Sequence, residues 1–597
     1  MTLTKYFYTT IFLSLILGCF SNIPSVLLLI TIPLLFISKI WNKRNIIMFA
    51  IGISMCVGFG SYYTQSKINQ IHNKLESDSN TLIGHFTENK GKLSFQIEYT
   101  LRQKWLPLNT QSQVINAPKE FTTDSTYLIH GKLYPIKPDL FNTKQMTYSN
   151  YSQNKAFRLY ILDYQNLKSN QDLTQQLNQD LTFKINSNFN PLSSAYLNGI
   201  LLGNKTLLTN RKAIQNIGIS HLFAASGYHV GILYGIILLI FYFTPRFKYK
   251  KLVEFIVSLS LIWAYGSLLY FSPSILRANF LFTFIGGLRL LNKKFSMIEL
   301  LSFIGILMVV NNPLVVYEIS FQLSFFAVYS ILLFFPIIQE KYSHLPKMIK
   351  YPLDIINVSF SAQILTLPIS LYYFNQFPTY SLLSNIIITP IVSITIPLSV
   401  FTLFLNSIGI PNFYLSKAVD LLFGLINLLI EKINVLPNNI ISNLFLNLTE
   451  VVLIIIFIII CYSFFVRLKR NPILKISLLC VLLMLFKLEK YFSNKNHSLQ
   501  NEAYIIPQRD FCNFYYLEKQ TLHAFEVYPS SYFINRIKQK HHLTNVIQSK
   551  IPCSNIELNI NKTRVQSLKN KIVVWESNSL KFSSRDKIKK PKHLILN

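Results

Sequence analysis

Long uncharged apolar runs constrain this chain more than any other feature. They recur in blocks of about 15–25 residues, the length a helix needs to cross the hydrocarbon core of a bilayer. A soluble chain would carry about 25% charged residues. Here 51% of the 597 residues are hydrophobic, 14% are charged, and the mean hydropathy is +0.34. This excludes a soluble globular enzyme. The pattern predicts a polytopic α-helical membrane protein with about 11–13 transmembrane helices.

Composition divides the chain into four zones. Residues 1–62 are apolar, broken at Ser21–Pro24 and Trp41–Asn45, and read as N-terminal transmembrane helices. Lys5 before an apolar run resembles a signal peptide, but no small-residue cleavage site follows, so an uncleaved membrane hairpin is expected. Residues 63–190 are polar, residues 191–490 are mostly membrane, and residues 491–597 form a short polar tail. In the first polar zone, Phe95–Tyr99, Tyr127–Ile129 and Arg158–Leu162 read as strands. Several strands of this size suggest a small β-barrel, with an OB-fold as one candidate. Ala503–Ile506, Leu522–Val527, Ile556–Ile560 and Lys571–Trp575 make the tail strand-rich as well.

The net charge is +31. Positive-inside topology and attraction to anionic membrane lipid explain such an excess, and so does a polyanionic cargo. Its distribution says more. Basic loops at Lys43-Arg44, Arg246–Lys251, Lys293-Lys294, Lys341–Lys350 and Arg467–Arg470 alternate with neutral turns at Phe271–Ser274, Asn311–Pro313 and Tyr373–Thr379. With basic loops in the cytoplasm, both polar zones face the exoplasm. The first holds 14 basic and 10 acidic residues, the tail 17 and 7. A weakly basic barrel fits ordinary solvated charge as well as a nucleic-acid groove.

The six cysteines form no Cys-x-x-Cys pair, so no zinc knuckle or redox motif is indicated. Cys19, Cys56, Cys461 and Cys480 lie in apolar stretches, and Cys512 and Cys553 could pair if the tail is exoplasmic. No Walker-type phosphate loop is present.

The stretch richest in chemistry is Gly218–Gly231. His221 and His229 lie eight residues apart, roughly on one face if the segment is helical, with Ser226-Gly227 as a weak point between them. Polar groups at membrane depth face a cavity or a partner. Alternatively, Ala224, Ala225, Ser226 and Gly227 form a tight helix contact. Arg277 sits just inside an outer helix end, where it could snorkel to headgroups or offer a fixed cation to phosphate. Gln322, Ser324 and Gln363 interrupt apolar helices, either bonding between helices or lining a wet path.

Gly218–Gly231 resembles the signature of the ComEC competence family, Ser-His-Leu-Leu-Ala-x-Ser-Gly-x-His-Val. Gly199–Lys205, Phe271–Ala278, Asn312-Pro313, Phe321–Ser324, Ala362-Gln363, Leu367-Pro368, Phe374–Phe377, Asn385 and Pro390 follow in family order. The resemblance runs over residues 60–465. It implies a channel of the bacterial cytoplasmic membrane that imports single-stranded DNA during natural transformation, with residues 63–190 as an OB-fold domain and 191–490 as the channel. It further implies an exoplasmic DNA receptor and a cytosolic motor or DNA-processing proteins as partners, while a homodimer stays open. Pro138–Tyr151 departs from the family, with Phe141-Asn142-Thr143 where an Asn-Pro-Gly turn is usual.

Many family members end in a metallo-β-lactamase-like domain, whose His-x-His-x-Asp-His cluster holds two metals. The tail histidines His497, His523, His541, His542 and His593 lack the Asp-His pair. The expectation is a form without that domain: no metal, no cofactor and no catalytic residue. His221, Ser226, Gly227, His229, Arg277, Gln322, Ser324 and Gln363 are the DNA-path candidates. The rival reading is a membrane transporter or membrane-embedded transferase for a small anionic or lipid substrate, which broken helices and buried polar groups suit equally.

Overall fold

The structure is a computed structural model. It describes residues 11, 16, 59–60, 62–68, 80–89, 92–101, 105–114, 126–135, 149–153 and 157–167. It also describes residues 173–466 apart from 205–206, 224–225, 246, 294, 411, 443, 445 and 447, and the backbone of nine strands between 501 and 596. Most of the expected N-terminal hairpin, the loops Lys43-Arg44 and Arg467–Arg470, Ala224, Ala225 and Cys553 lie outside the described residues, as do the side chains of Cys512 and the tail histidines. The chain divides into two compact units. The first comprises residues 1–137, 144–366 and 378–440, and the second residues 138–143, 367–377 and 441–597.

The first unit opens with a sheet of five strands: β1 Asn80–Asn89, β2 Lys92–Leu101, β3 Trp105–Val114, β4 Thr126–Pro135 and β5 Phe157–Leu167. They close into a barrel in the order β1-β2-β3-β5-β4, because β4 also pairs with β1. The sheet is mixed, as β3 and β5 run parallel. Period-two alternation sends Leu82, Phe86, Phe95, Ile97, Ile129 and Leu159 inward, each fully buried. The pattern Phe95–Tyr99 breaks where the register slips between Ile97 and Tyr99. At Gly84 a Cβ would collide with the Gln96 carbonyl, so glycine permits the bulge where β1 meets β2.

Helices follow: α1 Leu173–Asn188, α2 Pro191–Leu201, α3 Arg211–Asn216, α4 Gly227–Phe243, α5 Lys250–Leu268, α6 Pro273–Leu290, α7 Met297–Asn311, α8 Ile319–Tyr342, α9 Lys347–Phe374, α10 Ser381–Ser407 and α11 Phe413–Asn434. Their starts are legible locally. The Asn190 side chain accepts from the Ser193 amide at 2.8 Å, with Pro191 as first helical residue, and Pro273 opens α6 in the same way. Of the described helices, α5, α8, α9, α10 and α11 are long and apolar enough to cross a membrane, and α4, α7 and Leu448–Ile459 are shorter apolar helices. The protein is mostly helical and multi-pass in the membrane.

Inside α10, buried Ser384, Thr395, Ser399 and Thr402 each donate to the carbonyl four residues back. Their polarity at membrane depth is thereby satisfied within one helix.

The barrel is tied to the helices by both apolar and polar contacts. Its interior belongs to one core with α7, α8 and the 3-10 turn Pro313–Tyr317. Beside that turn, the Ser152 hydroxyl donates to Glu318, and Gln153 Nε2 donates to the same carboxylate at 3.4 Å. Asn312 Nδ2 donates to the Ser152 carbonyl at 3.2 Å, while its Oδ1 caps Leu314 N at 3.2 Å. Glu318 is 3% exposed, so this carboxylate is a buried latch.

The second unit contains α12 Leu448–Val466 and the tail. A five-stranded sheet runs Asn545–Lys550, Thr521–Glu526, Cys512–Glu518, Asn501–Pro507 and Lys592–Leu596, with only its first pair parallel. A four-stranded antiparallel sheet runs Glu557–Ile560, Thr563–Leu568, Lys571–Glu576 and Ser579–Ser583. Ala503–Ile506 and Lys571–Trp575 fall within these strands, and Leu522–Val527 and Ile556–Ile560 overlap them, with Val527 and Ile556 outside the described residues.

Candidate functional site

The site is a loop wedged between helix ends. α3 stops because Gly218 adopts φ +78°. Gly218 N donates to the Gln215 carbonyl at 3.1 Å and Ile219 N to the Ile214 carbonyl at 3.2 Å, while Ile214 and Ile219 are both buried. This is a Schellman stop, with a left-handed glycine and an apolar clasp across it. A Cβ on Gly218 would stand 2.6 Å from Ser381 Cβ and 2.9 Å from Pro378 Cγ, so the loop lies directly on the start of α10.

From there the chain turns through residues 219–223, burying Leu222 and Phe223. The Phe223 ring packs 5.0 Å from Tyr196 of α2. A new helix, α4, begins only at Gly227. Ser226 caps it. The Ser226 amide donates to His229 Nδ1 at 3.1 Å, with the Ser226 hydroxyl 3.4 Å from the same nitrogen. An accepting Nδ1 puts the proton of a neutral imidazole on Nε2. That Nε2 is buried and has no hydrogen-bond partner among the described residues.

His221 and His229 therefore do not share one helical face, as their spacing suggested. His221 is an exposed turn residue, His229 is 1% exposed on the first turn of α4, and the helix break between them sets their geometry. His221 remains the ionisable neighbour of His229.

Tyr228 hydroxyl meets Ser393 Oγ of α10 at 2.5 Å. Gly218 thus touches α10 at Ser381 and Tyr228 touches it at Ser393, about 18 Å further along the helix axis. The loop runs down α10 and sets the start of α4 well inside the helix bundle. Asn385, on the intervening stretch, is buried with its Oδ1 unpartnered among the described residues.

α4 and α6 meet through small residues. A Cβ on Gly227 would lie 3.1 Å from both Ala278 Cβ and Arg277 Nη2, and one on Gly231 would lie 3.3 Å from the Phe282 ring. The Gly-x-x-x-Gly spacing brings the two backbones close. Arg277 does not snorkel. It is 8% exposed, with Nε and Nη1 buried and unpartnered among the described residues, and its guanidinium carbon lies 5.9 Å over the Phe325 ring of α8.

Ser226, Gly227, His229 and Arg277 are thus one cluster, with His221 beside it. Gln322 is engaged elsewhere, donating to the Val316 carbonyl at 2.7 Å, a bond within its own connection rather than between helices. Ser324 and Gln363 are half-buried on α8 and α9. Sequence reasoning missed Tyr228, Ser393, Phe325 and the Glu318 latch. An acid immediately before an apolar helix was the available signal for Glu318.

The competence-protein family matches residues 200–469, which contain the whole of this arrangement. The chain is similar to ComE operon protein 3 of Bacillus subtilis, 30% identical over 260 residues, covering 43% of this chain and 31% of that protein. It is also similar to Recombination protein 2 of Haemophilus influenzae, 28% identical over 227 residues, covering 36% of this chain and 28% of that one. The chain thus matches about a third of each relative's length. No solved structure matches the chain.

Proposed function

We propose that the chain is a channel of the bacterial cytoplasmic membrane, importing single-stranded DNA during natural transformation. One observation carries the reading: the competence match coincides with a helix bundle holding a buried cation, without a partner for Nε and Nη1 among the described residues, beside a helix start. Hydrocarbon cannot solvate a phosphate chain, so a path needs water, polar groups or cations at membrane depth. His221, Ser226, Gly227, His229 and Arg277 supply them together, and Gln322, Ser324 and Gln363 remain weaker candidates. The rival transporter or transferase accounts for the unpaired cation but not for the competence match.

The domain scheme takes residues 63–190 as an exoplasmic OB-fold-like receiver and 191–490 as the channel. Strand order β1-β2-β3-β5-β4 in a closed barrel supports the first part. The chain acts as a passive conduit rather than an enzyme. Single-stranded DNA is its substrate, an exoplasmic receptor delivers the strand, and a cytosolic motor or DNA-processing protein draws it in. Uptake of labelled DNA into a strain deleted for this gene tests the reading. Loss of internalised strand with surface binding intact is expected. Undiminished uptake would refute it.

A further inference from the structure

Arg277 is a buried arginine with no counter-ion among the described residues. Burying an uncompensated charge is expensive, and proteins pair such groups or neutralise them. Arg277 is 92% buried by its 8% exposure, and neither Nε nor Nη1 has a partner among the described residues. One aromatic face, Phe325 at 5.9 Å, offsets only part of the charge.

The surroundings of the guanidinium suit an anion. Nη2 lies 3.1 Å from where a Cβ on Gly227 would stand, and Gly227 is the first residue of the seventeen-residue α4. The positive dipole end of α4 therefore adjoins a fixed guanidinium. On the same first turn, His229 holds a second buried nitrogen, Nε2, without a partner among the described residues. A helix start with a guanidinium beside it, two of whose nitrogens have no partner among the described residues, suits a tetrahedral oxyanion.

We infer that Arg277 and the N-terminus of α4 form a binding pocket for one phosphate-type oxyanion, with a phosphodiester of the passing strand as its occupant. The pocket stands on this geometry alone, while assigning it to a strand rests on the DNA reading above. It takes one phosphate at a time, because a single guanidinium faces a single helix start. A Cβ at 227 would press on the Arg277 guanidinium, 3.1 Å from Nη2.

The test uses the purified full-length protein, with dimethyl phosphate as a phosphodiester probe and the unfolding midpoint as readout. Wild type should rise by several degrees as the probe is added. Arg277→Met and Gly227→Ala should not respond. In anion-poor buffer Arg277→Met should unfold no earlier than wild type, since it removes an uncompensated buried charge; a clear drop would mark the guanidinium as structural and overturn the pocket. An equal response, or none, in all three proteins would also overturn it. Bilayers of phosphatidylglycerol and of a phosphate-free glycolipid separate the sources. A response lost only in phosphatidylglycerol assigns the pocket to a lipid headgroup and removes the strand as occupant. For a strand, an oligonucleotide should raise the midpoint more than its methylphosphonate counterpart in both bilayers. If dimethyl phosphate acts through Arg277 and the two oligonucleotides do not differ, the pocket stands and its DNA assignment fails.

Discussion

Arg277 lies against Gly227, its Nη2 3.1 Å from the position a 227 side chain would begin. One residue is the buried cation of α6 and the other opens α4. The absence of a side chain at 227 is what lets the guanidinium reach a helix start. The two positions therefore act as a pair.

Gly227→Leu should abolish DNA import at unchanged protein abundance, because the new side chain would meet Ala278 and Arg277 together. Arg277→Ala and His229→Leu should do likewise. Transformation frequency normalised to membrane-inserted protein is the measurement. A fall in abundance in step with import would mark these residues as packing elements only.

Gly218→Ala acts through the backbone. Its φ of +78° is disfavoured for a side-chain-bearing residue by about 1–2 kcal/mol, and the added methyl would stand 2.6 Å from Ser381 Cβ. A loss of about 2–4 kcal/mol in unfolding stability is expected. A change under about 0.5 kcal/mol would mean the Schellman stop rearranges freely.

The buried latch joins the barrel to the helices through Glu318, Ser152 and Asn312. Glu318→Ala should cost about 1–3 kcal/mol and Ser152→Ala less, since the former leaves several donors unpaired in a buried place. The two losses should be non-additive in a double-mutant cycle. The faster readout is protease cleavage of the barrel from the helices. Unaltered cleavage in both variants would show that the apolar core alone holds the barrel.

The alternation of basic and neutral loops predicts that Asn80 and Asn555 face the exoplasm. Single cysteines at these positions, in an otherwise cysteine-free chain, should react with an impermeant reagent on intact cells. Labelling at either position only after lysis would overturn that arrangement.

Apolar block length alone determined that this is a multi-pass membrane protein, because a bilayer leaves few other uses for such runs. Period-two alternation placed Phe95, Ile97 and Ile129 in a barrel interior, since strand side chains alternate whatever the neighbours. The order and spacing of Gly218–Gly231 and its companion motifs marked the region that the family comparison covers.

Only the tertiary structure decided how the cluster is made. Eight residues between His221 and His229 are compatible with one helix face. The Schellman stop at Gly218, the cap at Ser226 and contact with Ser381 and Ser393 set two separate environments instead. Likewise, Arg277 near a helix end reads equally well as snorkelling or buried. Its burial depends on Gly227 and Ala278 packing across from another helix, fifty residues away in sequence for the first of them. Local propensity reports on neighbours within a turn or two. Whether a charge meets water, a partner or an empty space is settled by which helices meet, and that is a property of the whole fold.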